Sequence, residues 1–172
     1  IGVGPREIGY LFGQYKRLQR RFNGVITGKG ASYGGSLMRP EATGYGTVYF
    51  AEEMMNHQGE TLEGKRCILS GSGNVSLYAA EKLLNIGAKV ISLSDSDGTV
   101  CLKDGLTHDM LKFIMDLKFG RRGRLHEFAE KYNAEYLEKK KPWSISCDAA
   151  FPCATQNEIE GKDADILINR SE

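Results

Sequence analysis

A glycine-rich stretch, "LSGSGNVSLYAAEKL" (residues 69–83), holds the residue types in this sequence best suited to gripping a phosphate. A tight turn from a strand into a helix needs a residue without a β-carbon, which Gly71 supplies. Gly73 clears a second side chain from the path by which a pyrophosphate would reach the backbone. The helix that follows would offer free N–H groups and a partial positive charge to that phosphate. The third glycine of the Gly-x-Gly-x-x-Gly pattern is replaced by Ser76, still small enough for close helix–strand packing. A Gly-x-Gly turn also occurs in α/β folds that bind no nucleotide. Here it follows a strand pattern, opens a helix pattern and precedes a second strand pattern ending at Asp95, a context that points to a dinucleotide site.

Asp95 stands where an acidic residue would bond the adenosine ribose hydroxyls and repel a 2′-phosphate, which favours NAD. The surrounding run is "SDSDG", however, and Ser96 can donate to a phosphate. Lys118, Arg121, Arg122 and Arg124 in "LKFGRRGR" could supply counter-charge. Their bland alternative is a solvated helix end. On these residues alone NAD and NADP stay open.

The elements that would position these groups follow from periodicity. Residues 5–20 form a helix pattern, with Ile8, Leu11, Phe12, Tyr15 and Leu18 on one face and Pro5 at its start. Residues 24–42 are a glycine-rich loop, and 43–58 a second helix. "RCILS" (66–70), a helix over 74–86 and "KVISLS" (89–94) then form a βαβ unit of a parallel sheet. Helices are expected from Asp109 to Lys118, with Thr107 near a cap position, and from Leu125 to Tyr132. "ISCDAAF" and "ADILIN" are expected as two further buried strands. The fold class is α/β: a doubly wound Rossmann-type domain from residue 43 to 172, incomplete, preceded over 1–42 by the end of another domain.

Composition excludes several classes. A net charge of +1 leaves no field to draw the protein to nucleic acid or membrane, and no apolar run is long enough to span a bilayer. Cys67, Cys101, Cys147 and Cys153 include no Cys-x-x-Cys pair and the three histidines are isolated, so neither a metal site nor a disulfide framework is expected. Reduced thiols suit an intracellular protein, expected in the cytoplasm, with an organelle also open. The sequence starts at Ile1 without Met and stops just past "ADILIN", so it is expected to be a partial sequence.

"GVGPREIGYLFGQYKRL", "TGKGASYGGSLMRPEATGYG", "SGSGNVSLYAAEKLLNIGAKVISLSDSDGTV" and "PCATQNE" together resemble the glutamate dehydrogenase family, closely its hexameric NADP-dependent branch. The resemblance covers essentially the whole chain. It implies hydride transfer between NADP and L-glutamate, giving 2-oxoglutarate and ammonia, in a homo-hexamer whose active site lies between a substrate domain and a coenzyme domain. Residues 1–42 would then end the substrate domain. By the same resemblance Thr43 contacts the nicotinamide carboxamide, and Gly71, Gly73, Asn74 and Val75 form the pyrophosphate turn. Asp95 and Ser96 meet the adenosine ribose, Lys118 and Arg121 face the 2′-phosphate, and Gln156 and Asn157 lie near the nicotinamide ribose. Without the resemblance, Thr43 could cap a helix, Asn74 could be a turn residue, and Gln156 and Asn157 could satisfy loop backbone after Pro152.

No catalytic residue is assigned. The family's Gly-Gly-x-Lys-Gly-Gly lysine segment and Pro-Ala-x-Asp segment are absent from this sequence, and Lys29 in "TGKGAS" does not match the former. The alternatives are a leucine, valine or phenylalanine dehydrogenase of the same superfamily, a non-catalytic nucleotide-binding module, or an RNA-binding role for Lys118 to Lys141. The near-zero net charge argues against the last.

Overall fold

A computed structural model describes residues 3–37 and 39–169. Helix α1 (Pro5–Gln19) starts with proline at its first position and Glu7 accepting a hydrogen bond from Gly4 N at 3.0 Å. It ends at Arg20, whose φ of 52° reverses the chain. Phe12 is its buried anchor, packed by Tyr15, Phe22 and Tyr33. Beneath it Lys29 is buried, its ammonium donating to the carbonyls of Val25 (2.6 Å) and Ile26 (2.5 Å) and lying 5.4 Å from the Phe12 ring. That lysine is a staple for the glycine-rich loop.

Helix α2 runs Arg39–His57, starting four residues earlier than its pattern suggests. Pro40 and Glu41 suit a first helical turn, one by its preset φ and the other by its charge. The boundary expected between 42 and 43 therefore falls within α2, and Thr43 is a helical residue, not a cap. Gly44 lets α2 press backbone-to-backbone on the next helix: a β-carbon there would sit 2.6 Å from both Ala79 N and Val75 O.

The βαβ unit forms as its pattern indicates: β1 (Arg66–Leu69), α3 (Asn74–Asn85) and β2 (Lys89–Ser94), with Arg66 opposite Lys89 in parallel register. Two strands then enter that the sequence reading did not place. β3 (Gly98–Cys101) turns back antiparallel on β2 through "DSDG", and β4 (Glu135–Glu138) pairs antiparallel with β3. β5 (Ala149–Phe151) returns to the other side of β1, parallel to it. The sheet order is β4-β3-β2-β1-β5, so the sheet is mixed: parallel at β2-β1-β5, antiparallel at the β3-β4 edge.

Helix α4 (His108–Met115) is capped by Thr107, whose hydroxyl accepts from Met110 N, and continues as a π-helical turn over Asp116–Gly120. Helix α5 spans Leu125–Tyr132. "ADILIN" is not a strand. It lies in helix α6 (Gly161–Ile168), entered through a capping interaction in which Glu160 N donates to Asp163 Oδ2 at 3.0 Å. The run is too short for its apolar spacing to separate strand from helix, and the acid three residues past the cap decides it.

Both sheet faces are covered, as a doubly wound fold requires. Cys67, Leu69 and Val90 belong to the main core with Leu77, Leu83, Ile114 and Phe128. Ile68 and Ile91 form a second core with Trp143, and Leu167 of α6 packs against it. No helix among the described residues is long and apolar enough to cross a membrane.

Candidate coenzyme site

The crossover β1-α3-β2 leaves β1 toward one side and β5 lies on the other, so the chain switches direction at the carboxyl ends of β1 and β5. Open α/β sheets place ligands in that crevice. Gly71 turns the chain there with φ +81° and is buried against the loop after β5. A β-carbon on it would lie 3.1 Å from Ala154 Cα and from Cys153 O. Ser70 stitches the two loops: its hydroxyl accepts from Cys153 N at 2.9 Å. Ser94, at the end of β2, holds the turn from the other side, accepting from Gly71 N at 2.8 Å while its own N–H donates to Gly71 O at 3.2 Å.

Ser76 does more than stay small. It is fully buried and its hydroxyl donates to Gly71 O at 2.8 Å, tying the first turn of α3 to the glycine turn. Gly73 caps α3 with ordinary extended backbone (φ −93°), and a β-carbon there would meet nothing within 4 Å. Nothing inside the protein requires glycine at 73. What favours it is open space in front of a helix N-terminus, where an anion can approach the N–H groups of Asn74 and Val75.

Several of the residues singled out from the sequence lie on the elements that border this crevice. The Asn74 side-chain amide donates to Pro40 O, so α2 and α3 start side by side. Thr43 is exposed on α2, next to the Gly44 contact with Val75, and its carbonyl accepts from Thr47. Gln156 and Asn157 are exposed in the loop after β5, which folds back so that Ala154 N donates to Glu158 Oε1 at 3.0 Å.

The far end of the crevice differs from the sequence reading in detail. The Asp95 side chain is only 5 % exposed. One of its oxygens accepts from Asp97 N (3.0 Å), and the other accepts from Leu125 N (2.9 Å) and lies 3.5 Å from Lys118 Nζ. It caps α5 and pins Lys118, which also donates to Gly123 O at 3.0 Å. Ser96 is the exposed member of the pair. The cation that reaches it is Arg124, Nη1 to Oγ at 2.7 Å, with Arg124 Nε 3.3 Å from Asp97. Arg121 is held by Asp116 (3.3 Å) and Glu127 (3.6 Å) over the Phe113 ring. Arg122 is held by Glu7 at 2.5 Å. Arg124 thus takes the place beside Ser96 that spacing offered to four basic residues. Its position directly before the helix over 125–132 was the available signal.

These features fit a dinucleotide: an open helix N-terminus behind a glycine turn, then a serine and an arginine one strand away. The family model for glutamate/leucine/phenylalanine/valine dehydrogenase matches residues 34–171. The chain is similar to the NAD(P)-specific glutamate dehydrogenase of Xylanibacter ruminicola, 55% identical over 168 residues that are 98% of this chain and 38% of that protein. It is 54% identical over 172 residues to the NADP-specific glutamate dehydrogenase of Giardia intestinalis, with the same two coverages. The solved structure of Plasmodium falciparum glutamate dehydrogenase superposes with a TM-score of 0.91 at 47% identity, covering 99% of this chain and 37% of that one. The chain therefore spans less than two fifths of the length of these relatives.

Proposed function

This chain belongs to the glutamate/leucine/phenylalanine/valine dehydrogenase family, and we propose that it serves as the coenzyme-binding part of an NADP-dependent glutamate dehydrogenase. The reaction is the reversible oxidation of L-glutamate to 2-oxoglutarate and ammonia. The observation that carries the reading is identity above one half, over 98% of the chain, to relatives named for glutamate and NADP. Residues 1–42 would close off the substrate domain, with the coenzyme domain following from Thr43 within α2, and the protein would work as a homo-hexamer in the cytoplasm.

The bound coenzyme supplies the hydride acceptor. This chain's residues hold and aim it. The α3 N-terminus and the Gly71–Gly73 turn would offer their N–H groups to the pyrophosphate. Ser96 and Arg124 would hold the 2′-phosphate, Lys118 and Arg121 of the same basic loop would add positive charge, and Asp95 would orient that cluster from behind. Thr43, Gln156 and Asn157 would hold the nicotinamide end. The proton acceptor for the substrate amine has no candidate among these residues.

The test is a rate of NADPH formation with L-glutamate, L-leucine, L-valine and L-phenylalanine as substrates for the full-length protein. A clear preference for glutamate is expected, whereas a preference for leucine, valine or phenylalanine would move the reading to that branch of the family. The 172-residue chain alone is expected to match a no-protein control.

A further inference from the structure

Helix α4 widens at its end into the π-helical turn Asp116–Gly120, closed by Arg121 N donating to Asp116 O at 3.1 Å. Such turns are rare and recur at functional sites. The basic loop starts inside this one, and its later half folds back onto it. Gly123 N donates to Leu117 O at 2.8 Å, and a β-carbon on Gly123 would collide with Leu117 Cδ1 and Glu127 Oε1. The loop is thus a compact ring of chain, and two side chains of the turn fix how it hangs on the domain. Lys118 reaches Asp95 at the end of β2. Phe119 reaches α3, stacking on Tyr78 with ring centroids 6.4 Å apart and planes 23° from parallel.

Tyr78 is half-buried, and its ring is set from α2. Tyr45 meets it edge to face at 6.4 Å and is itself held by donating to Glu81 Oε2 at 2.7 Å. Tyr45 follows Gly44, whose close approach locks α2 to α3. A strip of rings therefore runs from the first turns of α2, across α3, to the basic loop. Phe119 ends the strip and is 48% exposed. A ring left so open adds little to the core, but a stack constrains direction as well as distance, which burial alone does not.

We propose that Phe119 is a positioning residue: stacked on Tyr78, it holds the basic loop beside α3, so that the loop's cations meet the coenzyme's 2′-phosphate instead of turning to solvent. It acts through the loop and not by touching the coenzyme. The inference rests on the coenzyme reading given above and adds to it the aromatic strip that sets the loop's place.

The test titrates the full-length protein with NADPH and NADH, following coenzyme fluorescence, for the wild type, Phe119→Ala, Phe119→Tyr, Tyr78→Leu and the Phe119→Ala, Tyr78→Leu double variant. The urea midpoint of each is measured without coenzyme. Phe119→Ala should weaken NADPH binding about two- to tenfold and leave NADH binding unchanged. Phe119→Tyr keeps the stack and should bind NADPH like the wild type. Tyr78→Leu should reproduce the loss, and the double variant should lose no more than either single one, as expected of one shared contact. An unchanged NADPH-to-NADH ratio in Phe119→Ala would overturn the role of Phe119. Equal losses of both coenzymes with a lowered urea midpoint would overturn it too, as the mark of a purely structural ring. A wild type that binds no NADPH would overturn the coenzyme reading itself.

Discussion

Asp95 accepts a hydrogen bond from the Leu125 backbone N–H at 2.9 Å, joining the end of β2 to the start of α5. The carboxylate sits where sequence logic would put a ribose partner, yet it is spent on the protein's own frame. It sets the direction of α5 and, through Lys118 at 3.5 Å, the placement of the basic loop. A carboxylate so placed offers little repulsion to a 2′-phosphate, because Lys118 offsets its charge and Ser96 stands in front.

Asp95→Asn should therefore act on stability as well as on coenzyme choice. It removes the charge from a nearly buried hydrogen-bonded group and leaves Lys118 without its counter-ion. A loss of about 1–3 kcal/mol is expected, read as a lower midpoint in urea. An unchanged midpoint would mean that the carboxylate is not engaged as described.

Gly44→Ala tests the α2–α3 contact. The added methyl would meet backbone atoms at 2.6 Å, which cannot yield as a side chain can. Destabilisation of about 1–3 kcal/mol is expected, with weaker NADPH binding as α2 backs away from Asn74. A variant as stable as the wild type would contradict the close approach.

Burial pushes the thiols of Cys67 and Cys153 up to about 12, from an ordinary 9.0. At pH 8 each should hold about a thousandfold less thiolate than an unperturbed thiol. Iodoacetamide labelling followed by peptide mass should find both slow in the native protein and fast in urea. Equal native rates for these and a free cysteine would refute the burial.

Glu7 is held low, to about 2, by the hydrogen bond from Gly4 N first and then by Arg122. Its folded value lies below its ordinary one, so its contribution to the α1 start and the Arg122 contact is complete above about pH 4.5 and is lost as pH falls through about 2. A carboxyl titration followed by NMR should show a midpoint near that value in the wild type and a normal one in Arg122→Gly and Gly4→Pro combined. A midpoint near 4.5 in the wild type would remove the pair from the account.

Much of this arrangement is legible in the sequence. The β1-α3-β2 unit is readable because a short apolar strand, a glycine turn, a 3.6-period helix and a second apolar strand follow one another, and Leu125–Tyr132 is readable because its apolar face is strict. The β3 and β4 strands escape because they are four residues long and only half apolar, although Asp97-Gly98 is a hairpin signal. "ADILIN" misleads because six apolar-rich residues fit either period. At the site, spacing identifies the basic loop but cannot choose among its four cations. Glu7, Asp116 and Glu127 make that choice, by holding Arg122 and Arg121 and leaving Arg124 to reach Ser96.

The central claim is that the glycine turn at the β1–β5 crevice carries the coenzyme pyrophosphate, and Gly73→Asp tests it most directly. Aspartate is a favoured N-cap, and its β-carbon meets no protein atom, so the unfolding midpoint should hold or rise slightly. Its side chain and charge would occupy the phosphate path, so NADPH binding should weaken by about a hundredfold or more. A stable variant that binds NADPH as tightly as the wild type would place the coenzyme somewhere else.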